Sequence, residues 1–115
     1  MKLELSYPPS SNRYWRNFRG RMVVSADAKA YKELAFWSAK EQGAQCTDEP
    51  VALSIHIRRP AKRRDLDNHL KVLLDSLQGA AYTNDSQICE LHVTMEDNKR
   101  NPGVSVAIKP RQIEN

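Results

Sequence analysis

The 115-residue chain has only two cysteines, Cys46 and Cys89, far apart and without a CxxC pair. This excludes a cysteine-built zinc site and a disulfide framework, and leaves two reduced thiols. No apolar run approaches the roughly 20 residues that span a bilayer. The opening MKLELSYPPSS places Glu4 inside its one apolar stretch and lacks the hydrophobic core of a secretory signal. A cytoplasmic protein with no membrane association is therefore expected. There is no internal repeat and no low-complexity segment. Acid is also missing locally, with none from Leu5 to Ala26.

What is present is basicity gathered into two short segments. Arg13, Arg16, Arg19 and Arg21 fall in the acid-free stretch, and Arg58, Arg59, Lys62, Arg63 and Arg64 lie within seven residues. These nine are half of the eighteen basic residues, so the rest of the chain, which holds all fourteen acids, is net acidic. Concentrated cation is the footprint of a polyanion-binding surface. A hydrophobic content of 40% and a charged content of 28% suit one globular domain. Its expected span is 1–110, with 111–115 as a frayed tail.

Periodicity supplies the elements. Leu3, Leu5 and Tyr7 alternate with polar residues as a short strand, which PPSSN breaks. The aromatic and basic stretch from Arg13 to Arg21 reads as a loop or irregular arm, followed by a short extended piece at Met22–Val24. Ser25 is a good N-cap for a helix whose Ala28, Tyr31, Leu34, Ala35 and Ala39 recur at helical spacing, with Gly43 suited to its end. Val51, Leu53, Ile55 and Ile57 alternate as the clearest strand. A second helix runs from Asp65 or Leu66 to Gln78 with Leu66, Leu70, Leu73, Leu74 and Leu77 as its apolar stripe. Cys89, Leu91, Val93 and Met95, then Val104, Val106 and Ile108, form two last strands, and DNKRNPG between them has the turn chemistry of a hairpin. The order β-α-β-α-β-β predicts an α/β (α+β) fold: a small mixed sheet of about four strands with two packed helices.

The segment KRRDLDNHLKVLLDSL raises a question of chemistry, because carboxylates stand directly behind a block of cations. Asp67, Lys71 and Asp75 are four residues apart in series and line one helix face. Asp65 or Asp67 can simply cap the helix and complement its dipole. Five nearby cations and a helix N-terminus attract phosphate, however, whereas two carboxylates repel it. A divalent cation resolves that conflict, since carboxylates bind Mg²⁺ and Mg²⁺ binds phosphate oxygens. Two carboxylates make a thin site, and Asp85, in the loop before the third main strand, is the natural third. It reaches the helix start if that strand pairs beside the one ending at Arg58. The chemistry implied is metal-assisted phosphodiester hydrolysis, with Lys71 adding positive charge.

RRDLDN, the lysine four residues after its second aspartate and an aspartate about twenty residues on together resemble the RusA family of small homodimeric Holliday-junction resolvases, common in phages and prophages. PPSSNRYWRNFRGR and VSADAKAY are also similar to that family, so the resemblance runs from about Leu5 to the last strand. It implies metal-binding carboxylates at Asp65, Asp67 and Asp85, a catalytic lysine at Lys71, and a site-positioning role for Asn68 beside the DNA. It further implies Mg²⁺ as cofactor, with Mn²⁺ as a substitute, no small-molecule cofactor, branched DNA as substrate and paired symmetric nicks in recombination and repair. Family members often carry two adjacent acids at the last site; here the pair is Asn84-Asp85. A four-way junction is two-fold symmetric when open, and a C₂ dimer offers it two identical sites.

Arg13, Arg16, Arg19, Arg21, Arg58, Arg59, Lys62, Arg63 and Arg64 are the expected phosphate contacts. Tyr14 and Trp15 either stack on exposed bases or pack into the core or an interface. Phe36 and Trp37 read as core or interface. His56, His69 and His92 have no partner at metal spacing and read as structural, and Asp75 as a helix-surface group or one that supports the site's carboxylates from behind. Two other readings stand beside a nuclease: a non-catalytic DNA-binding module whose acids only cap, and a small interaction protein whose basic patches meet an acidic partner. Three acids and one lysine in motif order favour the nuclease.

Overall fold

The computed structural model describes residues 1–9, 15–18, 21–24, 26–60 and 66–111, with backbone only at 15–18, 21–24 and 66–68. The elements are β1 (Lys2–Leu5), β2 (Trp15–Phe18), β3 (Arg21–Val24), α1 (Ala26–Glu41), β4 (Val51–Arg59), α2 (Leu66–Ser76), a 3₁₀ turn at Asp85–Gln87, β5 (Ile88–Asp97) and β6 (Gly103–Pro110). The expected α+β architecture is present: a four-stranded mixed sheet in the order β1-β6-β4-β5, with two helices. No described helix is long and apolar enough to cross a membrane.

The centre of the sheet goes to its two most apolar strands. Val51, Leu53, Ile55 and Ile57 of β4 are buried, as are Val104, Val106 and Ile108 of β6. Each such side chain contributes roughly 1.5–3 kcal/mol on full burial. β6 runs antiparallel to both β4 and β1, whereas β5 runs parallel to β4 at the edge. β5 and β6 are therefore not the hairpin that their turn sequence suggested. β4 lies between them, because a strand that can bury its whole inner face gains more in the middle than at an edge. Leu91 of β5 stays 40% exposed. The link from Asn98 to Pro102 crosses the end of β4, where the Asn98 amide donates to the Arg59 carbonyl (2.8 Å) and Arg58 Nε to the Asn101 carbonyl (3.0 Å).

Small residues let α1 sit close to the core, burying Ala28, Tyr31, Ala35 and Ala39. Leu34, expected in this stripe, is 55% exposed, since it points about 100° away from the middle of the face formed by the other four. The Tyr31 hydroxyl donates to the Ser6 carbonyl (2.8 Å). Gln42, just past the helix, clamps the β1 edge: its Oε1 accepts from the Glu4 amide (2.7 Å) and its Nε2 donates to the Glu4 carbonyl (2.8 Å). This occupies backbone groups that an open edge would otherwise present to another strand.

α2 is rotated from its expected stripe. His69, Val72, Leu73, Ser76 and Leu77 are buried, while Leu70 and Leu74 are half-buried beside the core. His69 makes this possible by satisfying its polar ring internally: Nδ1 donates to the Pro8 carbonyl (3.0 Å) and the ring lies 4.8 Å from that of Tyr7. Within the stretch expected as a loop or irregular arm, β2 and β3 pair antiparallel, with Arg16 opposite Val23 and Phe18 opposite Arg21. Arg111, expected in the frayed tail, is tied down by its amide to the Pro50 carbonyl (2.8 Å) and its guanidinium to Glu90 (2.9 Å).

On the face away from the helices, Arg58 braces three strands: Nη1 donates to Ser105 Oγ (2.7 Å) and Nη2 to Glu4 Oε2 (2.9 Å). Gly103 at φ +155° makes room for it, because a Cβ there would stand 2.8 Å from Arg58 Nη2 and 3.1 Å from the Leu5 carbonyl. Gly103→Ala should cost about 1–3 kcal/mol in urea unfolding; an unchanged midpoint would contradict this account. The Ser105 hydroxyl and Arg58, working against desolvation, hold the Glu4 carboxyl below its ordinary value of 4.5. A lowered native value means that Glu4 stabilises the fold above that pH and that the contribution is lost as pH falls below it. Glu4→Gln should therefore flatten the loss of thermal stability on acidification below pH 4.5.

Candidate active site beside the second helix

Asp67 and Asn68 lie in the first turn of α2, and Lys71 follows one turn later on the exposed side. Asp65, Lys62, Arg63 and Arg64 lie outside the described residues, as do Arg13, Tyr14 and Arg19, the side chains of Asp67 and Asn68, and those of Trp15, Arg16 and Arg21. Among the described residues no three His, Cys, Asp or Glu side chains converge on one point.

Asp85 comes to this helix from another element. Parallel pairing sets the start of β5 opposite Val51, the beginning of β4, so the Asp85 loop meets the C-terminal half of α2 and not its start. There Asp85 and Leu74 wall one recess of about 280 Å³, with Ile88, Glu90 and Leu91. Leu74 lies seven residues after Asp67, which is about 10 Å along the axis and only some 20° around it. The exposed Asp85 carboxylate thus lies beside α2 about two turns beyond Asp67.

The loop holds Asp85 by a device that sequence reasoning missed. Asn84 is the N-cap of the 3₁₀ turn: its Oδ1 accepts from the Ser86 amide (2.9 Å), and its own amide donates to Gln87 Oε1 (2.8 Å). Gln87 Nε2 then donates to the carbonyls of Thr47 (2.7 Å) and Glu49 (2.9 Å), anchoring the turn to the segment before β4. The signal was N-x-x-Q, a capping box. An aspartate at this position would offer the same acceptor oxygen. Tyr82 completes the mounting. Its hydroxyl donates to the Leu74 carbonyl at the end of α2 (2.6 Å), and burial, reinforced by Asp85 and Asp75, raises its pKa.

Arg58 and Arg59 already have carboxylate partners, Glu4 and Asp97, so a phosphate reaching either must compete with those pairs. Asp75 accepts from Gln78 (3.4 Å) and lies toward α1. His56 bonds Thr94 (2.6 Å) and Glu96 (3.2 Å) on the open face of the sheet. Phe36 packs against the core, whereas Trp37 is 59% exposed.

A small α+β protein with an acid- and lysine-bearing crossover helix, approached by a braced carboxylate, has the parts of a phosphodiester-cutting enzyme. Residues 6–109 match the family described as Endodeoxyribonuclease RusA. The chain is 36% identical over 94 residues to the crossover junction endodeoxyribonuclease RusA of Escherichia coli (strain K12), covering 79% of this chain and 78% of that protein. Its counterpart in Shigella sonnei (strain Ss046) is 35% identical over 94 residues, with the same coverage. That of Enterobacteria phage 82 is 34% identical over 97 residues, again covering 79% and 78%. The chain belongs to the RusA family of endodeoxyribonucleases.

If Asn84 acts as a cap, Asn84→Asp should leave stability within about 0.5 kcal/mol and Asn84→Ala should cost about 1 kcal/mol, measured by denaturant unfolding. Equal losses for the two would remove the capping explanation.

Proposed function

We propose that the chain is a Mg²⁺-dependent homodimeric endonuclease, with Mn²⁺ able to substitute, that resolves four-way DNA junctions by paired symmetric nicks in cytoplasmic recombination and repair. The observation that supports this reading is Asp85: a separate, braced loop holds an exposed carboxylate beside Leu74 of α2, the helix whose first turn contains Asp67. A protein that merely bound DNA would gain nothing from holding acid there.

The donor set fits a hard divalent cation, because Asp65, Asp67 and Asp85 offer only carboxylate oxygen. When bound, such an ion supplies an activated water and charge neutralisation at the attacking and leaving oxygens. The chain's own residues do the rest. Lys71, exposed one turn after Asp67, places a positive charge where negative charge develops on the phosphate. Asn68 positions the strand, and Lys62, Arg63, Arg64, Arg13, Arg16, Arg19 and Arg21 grip the backbone, so affinity falls steeply with salt. The nuclease domain spans 1–110 in this reading.

The test is a mobile four-way junction incubated with and without Mg²⁺, mapping cuts on all four strands. Symmetric nicks on two strands of like polarity are expected, and Asp85→Asn should reduce cleavage by at least about 10²-fold with junction binding retained. Full cleavage by that variant would remove Asp85 from the site. Junction binding without cleavage by the unsubstituted chain under any divalent metal would reduce the protein to a DNA-binding module.

A further inference from the structure

The turn that carries Asp85 is attached where the sheet is irregular. Ile88 of β5 stands opposite Val51 and Glu90 opposite Ala52, so two steps along β5 answer one step along β4 and Cys89 has no residue opposite. A bulge of this kind bends its strand and re-aims the side chains beside it. Regular pairing therefore begins only after the bulge, and it does not by itself fix the turn that precedes it.

Gln87 takes over where the ladder fails. Its Oε1 accepts from the Asn84 amide (2.8 Å), and its Nε2 donates to the carbonyls of Thr47 (2.7 Å) and Glu49 (2.9 Å). The first bond belongs to the capping box. The other two reach back 40 and 38 positions in the chain, and a cap needs neither. The receiving segment is tied in turn to the other side of the same loop. The Thr47 amide donates to the Ala81 carbonyl (3.4 Å), the Thr83 amide to the Thr47 carbonyl (3.3 Å) and the Thr83 hydroxyl to Asp48. Asp85 is thus clamped onto one segment from both sides, by 81–83 before it and by Gln87 after it.

We propose that Gln87 is a positioning residue for Asp85: its two donated bonds set where that carboxylate stands beside α2, and so the affinity of the site for a divalent cation. The proposal rests on the reading of Asp85 as a metal-binding carboxylate. A hard cation such as Mg²⁺ demands near-octahedral oxygen positions, so a ligand carried on a loose turn binds it poorly. Groups that support ligands from behind are typically worth 10–100-fold in metal affinity. Without its tether the Asp85 turn would join the sheet only through the bulge.

Gln87→Glu separates the tether from the cap. One carboxylate oxygen still accepts from the Asn84 amide, while the other replaces Nε2 and faces two carbonyls. The added negative charge alone would strengthen cation binding, so the two effects have opposite signs. The test titrates the full chain with Mn²⁺ at neutral pH without DNA, reading free ion by electron paramagnetic resonance. Mn²⁺ affinity should fall roughly 10–100-fold in Gln87→Glu. The Mg²⁺ concentration for half-maximal junction cleavage should rise in step, with the rate at saturating Mg²⁺ largely recovered. A merely destabilised protein would instead lose activity at every Mg²⁺ concentration. Unchanged or tighter Mn²⁺ binding by folded Gln87→Glu overturns the proposal. Should that variant not fold, Gln87→Met, which fills similar space without a donor, carries the same expectation; failure of both to fold makes Gln87 a folding residue and also overturns it. Asp85→Asn keeps the two readings apart. If it weakens Mn²⁺ binding and the Gln87 variants do not, the positioning role alone falls. If neither weakens it, the metal role of Asp85 falls as well.

Discussion

Parallel pairing of β4 with β5 is the constraint on which the rest of the molecule depends. A parallel neighbour cannot be reached through a tight turn, so the chain leaving Arg59 must travel back along the sheet before β5 begins. α2 is that return path. Its eleven residues cover about 16 Å of the roughly 26 Å between the two ends of β4, and the connecting segments cover the rest. The same geometry brings the Asp85 loop to the C-terminal half of the helix.

Hydrophobic burial makes the crossover rigid. β4 and β6 bury their inner faces completely, and α1 and α2 cover them with Ala28, Tyr31, Ala35, Val72, Leu73 and Leu77. Polar ties then hold what packing cannot orient. Tyr82 joins the end of α2 to the following loop, Gln87 joins the 3₁₀ turn to Thr47 and Glu49, and His69 joins α2 to Pro8. Each is a hydrogen bond to a backbone carbonyl, which is more costly to leave unsatisfied when buried than it is stabilising when made. The outcome is a helix with one side fixed to the core and Lys71 left exposed on the other.

Charge follows the same division. Arg58, although part of the densest cationic run, braces β1, β6 and β4 through Glu4 and Ser105. On α1, Lys29 and Lys32 share one recess with Glu33 and with Asp75 of α2, so charges far apart in the chain meet between the helices.

The pattern of residues by itself determined the element types and their order, because alternation and helical spacing are local properties that burial rewards directly. It also determined the chemistry of the candidate site, since carboxylates and a lysine at fixed spacing on a helix keep that relation in any fold containing the helix. Only the tertiary structure decided that β5 and β6 are separated by β4, that Leu34 turns outward and His69 inward, and at which turn of α2 Asp85 arrives. Those outcomes depend on competition between strands for the centre of the sheet and between side chains for one buried face. Such a competition is settled by the whole molecule together and leaves no mark at any single position.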